Sequence, residues 1–170
     1  MKTFLCALVV VLSQSALAHD GHDAQITMPK EFDTVKSLVG TWQGTANMGG
    51  KEEAVTVVYE LTSGGTAIAE RLMPGTPHEM VSMYYKTHNT LGMTHYCAMG
   101  NQPQLMLKSK TPNSLTLEMA GPVGVSSMKE PHMHALTLTM SDANSLKQEW
   151  TSYENGKAKE TAVFNFTRKQ

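Results

Sequence analysis

The chain has 170 residues, 41% of them apolar and 17% charged, with a formal net charge of −1. That balance excludes intrinsic disorder and matches the size of one ordinary domain with a real core. No stripe of Lys and Arg is available to neutralise a phosphate backbone, so nucleic-acid binding is not expected.

Residues 1–18 read as a signal peptide: Lys2 supplies the positive end, Phe4 to Leu12 the apolar stretch, and Ala16-Leu17-Ala18 the small-x-small cleavage pattern. The expected product is an exported protein of about 152 residues, in a periplasm-like space or the medium. Loss of Lys2 takes its charge from −1 to −2. Past Ala18 no apolar run approaches the ~20 residues of a membrane span, so no stable membrane anchor is expected. Residues 19–28 are expected to be a flexible tail and 29–170 the folded domain. The freed amine of His19, with His22 nearby, forms a chelate for Cu²⁺ or Ni²⁺ if cleavage falls after Ala18, or is simply a polar tail. Cys97 becomes the lone cysteine, which excludes an intramolecular disulfide. It is then an inert buried thiol, a metal ligand or a redox-sensitive group.

Pro29 to Val39 is the one convincing helix: Pro29 suits a first turn, Phe32, Val35, Leu38 and Val39 recur at helical spacing, and Gly40 ends it. The rest of the chain reads as strands and turns. The strands are Thr41–Ala46, Ala54–Leu61, Thr66–Met73, Glu79–His88 and Met93–Met99, then Gln104–Lys110, Ser114–Ala120, His132–Ser141, Ser145–Tyr153 and Lys157–Arg168. Asn155-Gly156 is a strong hairpin signal. Gly121 to Pro131 is the longest irregular stretch. Short connections between about ten strands call for antiparallel pairing, and closure of the sheet on itself removes its edges. The expected fold is all-β: an antiparallel up-and-down barrel of about ten strands with one short N-terminal helix. A two-sheet sandwich is the alternative.

The segment Leu38-Val39-Gly40-Thr41-Trp42-Gln43-Gly44 places Gly-x-Trp at the start of the first strand, just after a helix. Phe164-Asn165-Phe166-Thr167-Arg168 places an Arg near the end of the last. This pattern resembles the calycin superfamily, which includes lipocalins, fatty-acid-binding proteins and nitrobindin-like haem barrels. The run Met93 to Pro103 also resembles uncharacterised secreted bacterial proteins with lipocalin-like domains. The resemblance implies that Arg168 packs on Trp42 to seal one end of the barrel, a structural role with a cation–π basis. It also implies an interior ligand, or haem held through an axial His, for which His95, His132 and His134 are candidates. The run Gly44 to Gly50 departs from the nitrobindin pattern.

Side chains alternate faces along a strand, so His95 and Cys97 share a face, as do His132 and His134. If all four point inward they form a nitrogen and sulfur set suited to zinc or copper. Methionine is abundant, at thirteen residues. Met80, Met83, Met93, Met99, Met106, Met119, Met133 and Met140 fall in the expected strands and suit an adaptable apolar interior. Their thioethers can also bind Cu(I), but no Met-x-x-Met or Met-x-Met cluster occurs. No Gly-x-Ser-x-Gly elbow is present, and Cys97 and His95 are spaced too far apart on their strand for a nucleophile–base bond. The expected role is therefore non-catalytic binding of a small hydrophobic molecule inside the barrel, with Met80, Met83, His95, Cys97, His132 and His134 as wall residues. The alternative is a metal- or haem-binding barrel using His95, Cys97, His132 and His134.

Overall fold

Val55, Val57 and Tyr59 are buried while their neighbours are not. Ile68, Glu70 and Leu72, and Leu136 and Leu138, repeat the pattern. This period of two makes each segment a strand with one face inside. The computed structural model describes residues 26–48 and 50–170. The expected signal peptide, the His19 chelate and most of the expected tail lie outside the described residues.

Helix α1 (Lys30–Lys36) precedes ten strands: β1 (Gly40–Met48), β2 (Lys51–Thr62), β3 (Ala67–Leu72), β4 (Met80–Thr87), β5 (Thr90–Tyr96), β6 (Gln104–Thr111), β7 (Ser114–Glu118), β8 (His132–Asp142), β9 (Ser145–Glu154) and β10 (Lys157–Arg168). Each pairs antiparallel with the next, and β1 pairs with β10 to close the barrel. All ten expected strands are present. Met99 and Met119 fall just outside them, Met99 in the turn after β5. The helix is shorter than expected because Ser37 closes it. The amides of Leu38 and Val39 bond only three residues back, to Val35 and Lys36.

The closing seam depends on Gly44. A Cβ there would sit 1.7 Å from the Asn165 carbonyl oxygen on β10, so any side chain would drive the two strands apart. Asn155 and Gly156 both take positive φ, 55° and 74°, as the tight hairpin between β9 and β10 requires.

One end of the barrel is sealed. Phe32, Val35 and Leu38 are buried beneath α1, which packs on β4 and β5. The Arg168 guanidinium lies 4.1 Å above the Trp42 ring. It also donates to the carbonyls of Ser37, Val39 and Ala143 at 2.7, 2.9 and 3.0 Å. Trp42 Nε1 donates to Leu38 O at 2.8 Å. Helix, first strand and last strand are thus tied at one point. The opposite end is the mouth, ringed by the connections after β3, β5 and β7 and by two tight turns.

Candidate functional site

Near the mouth three neighbouring strands place Glu70, Ser82 and His95 level with one another, all facing inward and all buried. Ser82 Oγ lies 3.0 Å from His95 Nδ1. The His95 ring packs on Trp150 of β9, with centroids 4.4 Å apart. Its other nitrogen, Nε2, is buried and has no protein partner. His95 lines a cavity of about 90 Å³ together with Leu72, Met80, Met133, Trp150, Ala162 and Phe164. Burial lowers the His95 pKa from 6.5 to about 4, so the imidazole is neutral at physiological pH.

Beneath this cavity lies a polar layer. Trp150 Nε1 donates to Gln148 Oε1 at 3.0 Å, and Gln148 Nε2 donates to the Tyr59 hydroxyl at 2.5 Å. The Tyr84 hydroxyl donates to Glu70 Oε2 at 2.5 Å, while Glu70 Oε1 has no partner. Desolvation raises the Glu70 pKa from 4.5 to about 7, against the lowering effect of its hydroxyl and amide neighbours. Burial, reinforced by the Glu70 charge, pushes both tyrosines well above 10. Both therefore stay protonated, and Tyr84 serves as a donor to Glu70. Tyr84 thus holds Glu70, while Gln148, itself held by Tyr59, fixes Trp150 and with it the face on which His95 packs.

Of the six expected wall residues, His95 and Met80 line the cavity. Met83 does not: it lies between inward Ser82 and Tyr84 and so faces outward. Cys97 is a buried free thiol just past β5, where its N–H bonds Asn101 O at 3.1 Å and its carbonyl accepts from Gly100. It does not line the cavity, and burial raises its pKa, so it is neither an activated nucleophile nor a ready ligand.

His132 and His134 do not meet His95. The pairing of β8 with β9 shifts between Met133 and Ala135, so a bulge intervenes. Leu136 faces Trp150 inside the barrel; beyond the bulge Met133 faces Ser152, and His132 faces Tyr153. The extra residue turns Met133 inward and carries both histidines to the outer face of the strand, where they nonetheless stay buried. There His132 Nδ1 lies 2.7 Å from Glu130 O and Nε2 lies 3.2 Å from His134 Nδ1, while His134 stacks on Tyr153 at 3.8 Å. The four-residue metal set expected from alternation is therefore not assembled. Among the described residues no three His, Cys, Asp or Glu side chains converge as a metal site. Haem does not fit either: a porphyrin needs a pocket well within the ~300–1,000 Å³ of ordinary ligand sites, several times the space beside His95.

Acid–base or nucleophilic chemistry finds little here. A neutral His95 with a strongly lowered pKa is a poor base near pH 7. Its bond to Ser82 lies in the barrel wall, with both residues buried.

No family model and no curated protein sequence matches the chain. Solved structures do. One is a DUF3598-family protein of unknown function from Nostoc punctiforme, with TM-score 0.54 and 12% identity over 79% of this chain and 49% of that one. Another is Rv2717c from Mycobacterium tuberculosis, with TM-score 0.56 and 13% identity over 85% of this chain and 100% of that one. What is shared is the barrel. The chain spans about half the length of the Nostoc protein.

Proposed function

We propose that the protein is an exported, non-catalytic binding barrel of calycin type that holds a small hydrophobic molecule in the mouth cavity beside His95. The observation that carries this is an apolar cavity of about 90 Å³ lined in part by His95, whose Nε2 is buried without a partner. A dry apolar cavity of ~150 Å³ is enough to take up benzene. The space here suits a guest of a few heavy atoms, or the end of a longer chain. Met80 and Met133 are flexible walls that can adjust to its shape. Because His95 is neutral, the favoured guest is uncharged and offers one hydrogen-bonding atom to Nε2; an anion would have to be desolvated with no cation to meet it.

The test is a titration of methyl-labelled protein with small alcohols and ketones of increasing length. Saturable shifts confined to Leu72, Met80, Met133 and their neighbours are expected, and Ala162→Phe should abolish them by filling the cavity. Binding that survives Ala162→Phe, or no saturable binding at all, overturns the reading. Export is checked separately by N-terminal sequencing of the secreted protein, with His19 expected first.

A further inference from the structure

The same cavity carries donors of a different kind. Met80 enters it from β4 and Met133 from β8, on opposite sides of the ring of strands, and His95 joins them from β5. Of the remaining walls, Leu72, Ala162 and Phe164 cannot ligate an ion, and Trp150 offers only its ring. Two thioethers and one imidazole form a neutral, soft donor set. Hard cations such as Ca²⁺ and Mg²⁺ require oxygen, whereas thioether sulfur selects monovalent copper. His95 is also held as metal-binding imidazoles usually are: Nδ1 is fixed by Ser82 Oγ at 3.0 Å, and Nε2 is buried without a partner. The indole of Trp150, already packed on His95, provides an electron-rich face for a cation shielded from water.

We infer that the mouth cavity is a copper(I) site, with Met80 Sδ, Met133 Sδ and His95 Nε2 as its ligands and the Trp150 ring beside the ion. Copper enters and leaves as Cu(I), with no electron transferred. The site shares the cavity and His95 Nε2 with the proposed guest, so ion and guest exclude one another.

The experiment uses protein purified from its native host without an affinity tag, titrated anaerobically with Cu(I) supplied as its bicinchoninate complex under ascorbate. One equivalent should pass to the protein, and in methionine-methyl spectra Met80 and Met133 should shift while the other methionines stay in place. Met80→Leu and Met133→Leu keep side-chain volume and hence the fold. Each should weaken copper binding by about tenfold or more, and Ser82→Ala by about tenfold, as loss of an outer partner usually does. Failure to withdraw copper from bicinchoninate overturns the inference. So does copper binding indifferent to both Met→Leu substitutions, as a chelate at His19 would give. A protein that takes copper but no neutral guest overturns the guest reading and leaves this one standing.

Discussion

Glu70→Gln should remove a pH dependence from the stability of the barrel. The carboxyl is wholly buried with one oxygen unpartnered, and its pKa rises from 4.5 in the ordinary state to about 7 in the fold. Between those values the unfolded chain has released the proton and the folded chain has kept it. The native state then binds more protons, and stability falls as pH rises until the folded carboxyl also ionises. Integrated between pH 5 and pH 8, with pKa values of 4.5 and about 7, the loss is about 2.5 kcal/mol. In Glu70→Gln the amide still accepts from Tyr84 but brings an N–H to a place without a free acceptor, a constant cost of about 1–3 kcal/mol. That constant cancels when the difference between variant and wild type is followed with pH. The assay is urea unfolding of both proteins at half-unit steps from pH 5 to pH 8. The stability of the variant relative to wild type should climb by about 2–3 kcal/mol across the range. A flat difference, within about 0.5 kcal/mol, refutes the raised pKa and the dry environment invoked to explain it.

Arg168→Met keeps the stem over Trp42 but loses the cation and three bonds to carbonyls, and should cost about 2–4 kcal/mol by urea unfolding, with α1 losing amide protection first. Gly44→Ala should cost more than about 4 kcal/mol or prevent folding, because its Cβ meets backbone and not a side chain that can turn away. Leu72→Ala should cost about 2–5 kcal/mol and raise the size of the largest neutral guest accepted, since it enlarges the cavity at its wall. Ser82→Ala should leave His95 Nδ1 buried without a partner and cost about 1–3 kcal/mol by urea unfolding.

The barrel was legible in the sequence because strands such as β2 and β7 alternate a buried with a less buried face, and turn residues such as Asn155-Gly156 mark where the chain reverses. The Trp42–Arg168 seal was legible only through the family resemblance of Gly-x-Trp and a late Arg; the two residues do pair across the closing seam. The polar layer was written in the same alternation and went unread. Glu70 stands between Ile68 and Leu72, and Gln148 between Leu146 and Trp150, each at a position whose neighbours two residues away are buried. A charged or amide residue at such a position has to find partners inside. Tyr59 and Tyr84, on the inward faces of β2 and β4, were the available ones.

The mouth cavity was harder to read, because face assignment survives only as long as the register does. A one-residue insertion reverses every assignment beyond it. His132 and His134 do share a face, as their spacing requires, and they touch. Which face that is depends on the bulge between Met133 and Ala135, for which no Gly or Pro in the segment gives warning. On the outer side of the strand the Glu130 carbonyl meets His132 and the Tyr153 ring stacks on His134, and both histidines are buried there. With both on that side, Met133 points into the barrel opposite Met80. The same slip that removes two imidazoles from the interior thus supplies a second thioether, and the donor set at the mouth changes from nitrogen-rich to sulfur-rich. A histidine count alone points toward zinc; the register turns the site toward a softer ion.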